Sequence, residues 1–350
     1  MTRRSRSRSH VRSLAVATAL AALPYAAAAA QPYTSVTIFG DSYSDTGNAS
    51  ILSAAFGYPN PTPPPYFPGH FSNGPVWVEY LTTSLGRPGD AAPVFLAGAA
   101  SGNYAIGGAR SGTAPGPIPI PSTAAQIAQY QGYLSGHGLT FDPTGLYVLF
   151  SGGNDMRDVG LLTDPLQQQA ATLAAANRVG DQLTALVAAG ARNILIPYLG
   201  DVGNFPEALG DPTRSAALHQ LTPLFNQTLG GRLAALRALS PSTSFFDLRL
   251  DNVYINILND AANGGARYGI TNVTTPCFAP GAPSCAVSLF VDGQHPTTLG
   301  HQIIAGAAYT YLTTGVNVSA VPEPATVTLV GAGLLLVGLR ASRRRRATVA

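Results

Sequence analysis

The chain has 350 residues, enough for one large domain or two small ones with appendages, and its 46% apolar content excludes a disordered chain. The formal charge of +3 comes from the ends: five arginines lie in the first 12 residues and five more at positions 340–346, and lysine is absent. Positions 31–320 hold 10 arginines against 16 acids, so the body is mildly acidic and lacks the basic stripe that nucleic acid would require.

Residues 1–30 read as a secretory signal, with a basic start, an apolar run over 14–23 and an Ala-x-Ala cleavage site within 26–30. Val36-Thr37-Ile38-Phe39 then runs into Gly40-Asp41-Ser42, the pattern of a buried strand whose last turn presents a hydroxyl at the sheet edge. A serine there is either a helix N-cap or a nucleophile. Prolines and aromatics crowd residues 57–73, which excludes helix and central strand. Such a stiff loop either walls a cleft or simply connects elements across the surface.

Pro75 to Leu81 starts a helix with proline in its first turn. Asn103 to Ala109 is a short extended piece that breaks at Gly107-Gly108, and 121–134 is helical. The apolar run Leu146-Tyr147-Val148-Leu149-Phe150 is a strand covered on both faces, ending in Gly152-Gly153-Asn154-Asp155. A long helix follows, capped by Asp164 with Pro165 at its first position and stopped by Gly190. Its expected inner face is Leu166, Ala170, Leu173, Leu183 and Leu186.

Asn193 to Leu199 is the next strand. Asp211-Pro212 opens a helix with Leu218, Leu221, Phe225, Leu229, Leu233 and Leu236 at helical spacing and a kink candidate at Gly230-Gly231. Ser244 to Leu248 is a further strand, and 297–312 a last helix. Strands alternating with helices predict a parallel sheet with helices on both faces, with ligands bound beyond the carboxyl ends of the strands. Ser42 and Asn154 fall there.

Asp292-Gly293-Gln294-His295 places an acid three residues before a histidine, so that one imidazole nitrogen can meet the carboxylate while the other serves as a base. No paired-histidine spacing points to a metal, and no cofactor is expected. Cys277 and Cys285 are the two cysteines, and an even pair in an exported chain points to a disulfide closing a short loop.

Four blocks therefore stand in order: Gly40-Asp41-Ser42, Asn103 to Gly108, Gly152-Gly153-Asn154-Asp155, and Asp292-x-x-His295. In these the chain resembles the GDSL esterase/lipase family, the SGNH hydrolases, over about residues 35–312. Phe71-Ser72-Asn73-Gly74 and the cysteine pair also resemble the passenger esterases of bacterial autotransporters. Position 44 is serine, so the nucleophile does not sit in the Gly-x-Ser-x-Gly elbow of an α/β-hydrolase. The resemblance implies a single-domain, three-layer α/β/α sandwich of the flavodoxin-like SGNH hydrolase fold over 31–320. It also implies Ser42 as nucleophile, His295 as base, Asp292 as orienting acid, and an oxyanion hole from the N–H groups of Ser42 and Gly108 and the amide of Asn154. Gly107 is a rival for the second donor.

Residues 321–346 combine Val321-Pro322-Glu323-Pro324 with an apolar run and an arginine cluster, and resemble the PEP-CTERM sorting tail of Gram-negative bacteria. That resemblance implies transient inner-membrane anchoring, processing by an exosortase-type peptidase, and delivery to the cell surface or medium. A plain single-span anchor is the other reading of the segment. The expected function is a secreted serine esterase for short- to medium-chain acyl esters. An O-acetyl esterase for extracellular polysaccharide and a non-catalytic surface binding protein are the alternatives.

Overall fold

A computed structural model describes residues 33–319 except 59, 101 and 114–118; the expected signal at 1–30 and sorting tail at 321–346 lie outside the described residues. Four strands, β1 (Val36–Gly40), β2 (Leu146–Phe150), β3 (Asn193–Pro197) and β4 (Ser244–Leu248), form one parallel sheet in the order β1-β2-β3-β4. β1 and β2 pair from Val36 opposite Leu146 to Gly40 opposite Phe150. All five residues of each are buried, which explains why their sequences are apolar runs rather than alternations. The piece at 102–106 lies along the free edge of β1. Ile38 N–H donates to Gly102 O at 2.7 Å, Tyr104 N–H to Ile38 O at 2.8 Å, and Ile106 N–H to Gly40 O at 3.1 Å.

Ten α-helices surround the sheet among the described residues: α1 (Asn48–Ala54), α2 (Trp77–Ser84), α3 (Val94–Ala97), α4 (Thr123–Gly136), α5 (Gly153–Val159), α6 (Pro165–Ala189), α7 (Pro206–Leu209), α8 (Pro212–Leu239), α9 (Leu250–Ala262) and α10 (Thr298–Thr314). Handedness sorts the main ones. The crossovers from β2 to β3 and from β3 to β4 advance in one direction, so α6 and α8 share a face, where they pack along each other. The path from β1 to 102–106 runs the opposite way and sends α2 to the other face, where it meets α10.

The predicted helix ends hold where the chemistry is local. Asp164 accepts from Leu166 N–H, Pro165 opens α6, and Gly190 closes it with φ +114°. The inner face of α6 is partly shifted from expectation. Leu166 and Ala170 are exposed and Leu173 is half-buried, whereas Gln168, Thr172, Ala175, Ala176 and Val179 are buried with Leu183 and Leu186. At the first turn Gln168 faces inward, its Nε2 donating to Leu162 O at 2.8 Å, and this rotates Leu166 into solvent. α8 buries all six of the expected residues. Gly230 and Gly231 do not break it; a Cβ at Gly230 would lie 2.9 Å from the Tyr198 hydroxyl, so that glycine serves close packing. Pro75 lies just before the N-cap Val76 of α2 rather than in its first turn.

Inside α10 one buried group is costly. His301 is fully buried beneath the Tyr43 ring, 6.0 Å away edge-on, and neither ring nitrogen has a hydrogen-bond partner. Burial, with the nearby His295 and His70, lowers its pKa to about 3. Between that value and the unfolded value near 6.5 only the unfolded chain binds this proton. The native state is therefore unpenalised above about pH 6.5 and loses up to about 1.4 kcal/mol per pH unit as the pH falls toward 3. His301→Phe removes both unpartnered nitrogens and this slope. Thermal unfolding should give a Tm equal to or above wild type at pH 7.5 and clearly above it at pH 5; parallel Tm–pH curves would contradict the assignment.

Candidate active site

The site begins where β1 ends. A Cβ at Gly40 would come within 2.9 Å of Phe150 O, so only glycine lets the turn pass this close to β2. Gln126 of α4 fixes the same residue from the side, accepting from Gly40 N–H and donating to Gly40 O, both at 2.9 Å. Two residues later Ser42 is 6% exposed, and its Oγ lies 2.9 Å from His295 Nε2. His295 Nδ1 lies 2.6 Å from Asp292 Oδ2. The structure thus brings together three sequence-predicted residues spread over most of the chain.

The Asp292 carboxylate is fully engaged. Oδ1 accepts from the N–H groups of Gln294 (2.9 Å) and His295 (2.8 Å), and Oδ2 accepts from the Tyr66 hydroxyl at 2.6 Å as well as facing the imidazole. Burial pushes its pKa up, but the charge and hydrogen bond of His295 and the Tyr66 bond outweigh it and hold the group ionised well below the usual carboxylate range. The imidazole plane is set by the Phe71 ring, 5.0 Å away at 31°. The Phe71 block also holds the segment after the histidine: Ser72 Oγ donates to Pro296 O at 2.9 Å, and Asn73 Oδ1 accepts from Thr298 N–H at 2.8 Å.

The candidate oxyanion donors lie on two further elements. Gly152, with φ +114° and the Phe225 ring 2.4 Å from where a Cβ would stand, starts α5 so that Asn154 falls in its first turn. Asn154 spends one Nδ2 hydrogen on Ala109 O at 2.9 Å. Between the rival glycines the geometry discriminates. Gly107 N–H is taken by Asp45 Oδ2 at 2.7 Å, and a Cβ there would meet the Phe71 ring at 2.2 Å. Gly108 N–H, like Ser42 N–H, has no hydrogen-bond partner among the described residues.

Three polar groups in or beside the sequence blocks hold the site through partners that sequence reasoning did not find. Asp45, fully buried, accepts N–H bonds from Gly47, Asn48, Ala49 and Gly107 at 2.7–2.9 Å. Burial raises its pKa to about 6 against those four bonds. Asn103 donates to Ser44 O and Thr46 Oγ1, tying the edge piece to the serine turn. Asp155 accepts from Ser111 N–H and Oγ and pairs with Arg178, so the loop carrying Gly108 is latched to the helix carrying Asn154. The Asp41 carboxylate, beside the nucleophile, accepts from Tyr43 N–H at 3.1 Å, and burial raises its pKa to about 7.

A second Ser–His–Asp grouping is chemically different. His219 Nδ1 is 2.7 Å from Asp201 Oδ2, but Ser215 Oγ is 3.3 Å from Nε2 and gives its proton to Gly203 O at 2.8 Å. That hydroxyl is already spent on a loop carbonyl. Among the described residues no group of three or more His, Cys, Asp or Glu side chains is placed to hold a metal, and no helix is long and apolar enough to cross a membrane.

An apolar pocket opens beside Ser42 and Asn154 and runs beneath the His295 loop, between the carboxyl end of β3 and helices α9 and α10. Phe150, Leu199, Val202, Phe205, Val253, Ile257 and Ile304 line it. It encloses about 810 Å³ with its open mouth.

The family model described as GDSL-like Lipase/Acylhydrolase matches residues 36–308, and the PEP-CTERM protein-sorting motif matches 320–346. The chain is 31% identical over 261 residues to a phosphatidylcholine-sterol acyltransferase of Aeromonas hydrophila, covering 74% of this chain and 70% of that one. It is 31% identical over 363 residues to Esterase EstA of Pseudomonas aeruginosa, covering 91% of this chain and 53% of that one. The chain thus spans about half the length of the esterase. A carbohydrate acetylesterase from Sinorhizobium meliloti matches at 14% identity and a TM-score of 0.37, over 78% of this chain and 96% of that one, a likeness from which nothing further is drawn.

Asp45→Asn should be costly although it is isosteric. Whichever way the amide turns, its NH₂ faces two buried N–H donors, for a loss of about 3 kcal/mol. Urea denaturation at pH 7.5 measures it; a loss under about 1 kcal/mol would show that the four bonds are dispensable.

Proposed function

The chain belongs to the family of GDSL-like lipases and acylhydrolases, a class of carboxylic ester hydrolases, and on that premise we propose that it is an exported serine esterase acting on short- to medium-chain acyl esters. The observation that carries this is the unbroken contact from Ser42 Oγ to His295 Nε2 to Asp292, at 2.9 and 2.6 Å, with two unspent backbone N–H groups nearby.

In this reading Ser42 Oγ attacks the ester carbonyl carbon as His295 Nε2 takes its proton. Asp292 accepts from Nδ1–H, fixes the tautomer and favours the imidazolium that forms. The carbonyl oxygen becomes an oxyanion that accepts from Ser42 N–H, Gly108 N–H and the remaining Asn154 Nδ2 hydrogen. Collapse breaks the carbonyl–alkoxy bond, and His295 returns the proton to the departing alcohol. Water then attacks the acyl-Ser42 ester with His295 again as base, and the carboxylic acid leaves.

The pocket favours a fatty acyl group over acetyl, because a two-carbon group would leave most of an apolar chamber unfilled. The matched sorting motif marks an exported protein. Removal of residues 1–30, transient anchoring through 321–346 and processing by an exosortase-type peptidase complete the proposal.

With p-nitrophenyl esters, kcat/KM should rise about fourfold per added methylene from acetate to roughly hexanoate and then fall. Acetate as the best substrate, with acetate released from acetylated glycans, would favour the deacetylase instead. Ser42→Ala should lower kcat by about 10⁴-fold or more and Asn154→Ala by about 10²–10³-fold. A Ser42→Ala protein with full activity would overturn the reading.

A further inference from the structure

The proline-rich loop and the disulfide-closed loop are far apart in sequence and meet where the Tyr66 ring packs on Phe278, beside Asp292. Tyr66, from the first, donates its hydroxyl to Asp292 Oδ2 at 2.6 Å, the same oxygen that faces His295 Nδ1. Its ring stands edge-on to Phe278 at 5.2 Å and 89°. Phe278 belongs to the loop closed by the Cys277–Cys285 disulfide. That loop is bonded to the segment entering the acid: Cys277 N–H donates to Phe290 O at 2.9 Å and Phe278 N–H to Val291 O at 3.0 Å.

We propose that Tyr66 is a positioning residue that tunes the Asp292–His295 pair, and that the disulfide-closed loop, through Phe278, is the support that holds it there. The proposal rests on the esterase reading above. Oδ2 has two donors, so each takes less of its negative charge than it would alone. The phenol thereby limits how strongly Asp292 stabilises the imidazolium that forms when Ser42 gives up its proton. Burial and the carboxylate beside it keep the Tyr66 phenol protonated, so it remains a donor.

The other titratable groups around the pair do not share this role. Asp41 and Tyr43 face His295 from the serine turn, and His301 acts on it from α10. Tyr43 spends its hydroxyl on Gln294 O at 2.7 Å. Glu207 lies against Gly293, but Arg157 and Arg214 hold its carboxylate. Tyr66 is the one side chain other than His295 that bonds the Asp292 carboxylate among the described residues.

The test is the pH dependence of kcat/KM for a butyrate ester with Tyr66→Phe, Phe278→Ala, the double variant and Ser42→Ala. Tyr66→Phe should move the acid limb upward by roughly 0.5 pH unit, with KM within twofold of wild type. Phe278→Ala should move the limb the same way, and the double variant should add nothing to Tyr66→Phe alone. An unmoved limb in Tyr66→Phe overturns the tuning role, whether or not the protein is less stable; additive shifts in the double variant overturn the Phe278 support. Retained activity in Ser42→Ala would instead sink the esterase reading itself, and the Tyr66 role with it.

Discussion

One buried carboxylate organises the rest. Asp45 gathers four backbone N–H groups, three from the first turn of α1 and one from Gly107. A charge sealed from water is tolerated only when its lone pairs are filled, and the donors must come to it. The turn bearing Ser42 and the loop bearing Gly108 are thus referred to a common point. Gly107 gives its N–H to Asp45, which leaves the next N–H along the chain unspent. The division of labour between the two adjacent glycines follows from that single bond.

A second latch repeats the logic on the other side of the site. Asp155 receives the Ser111 N–H and hydroxyl and is paired with Arg178 of α6, while its neighbour Asn154 bonds Ala109 O. Residues 107–111 are therefore held from the serine turn by one acid and from α5 by another. Each hydrogen bond is modest in net worth, but each buried group would be expensive to leave alone. Precision in the donors' placement comes from this mutual obligation rather than from the loop's own stiffness.

Much of the frame could be read from residues because its signals are local. The four strands are short β-branched and aromatic runs, and the ends of α6 are set by Asp164-Pro165 and Gly190, whose effects reach only a few positions. The six apolar residues of α8 repeat at helical spacing and all face inward. Ser42, Asn154 and His295 stood out because each follows a glycine-marked break, and Asp292 because it stands three residues before that histidine. The partners of Gln126, Asp45, Asn103, Asp155 and Tyr66 did not, since a polar side chain whose partner lies tens or hundreds of residues away leaves no period behind. α6 shows the same limit in small: Gln168 reaches the Leu162 carbonyl and turns Leu166 outward, against the pattern of hydrophobic spacing. α5 and α9 also went unread; α5 is two turns long, and α9 does carry a usable stripe in Leu250, Val253, Tyr254 and Ile257.

The connectivity has a temporal meaning. Ser42 follows the first strand, whereas His295 sits directly before the last helix, and Ser72 and Asn73 clasp the residues that join the two. A growing polypeptide emerging from the ribosome presents the Ser42 hydroxyl 253 residues before the His295 imidazole. Until α10 docks beside α2, the Ser42 hydroxyl lacks its contact with His295. On the proposed esterase reading, the order of the elements alone keeps the nascent chain chemically silent until then.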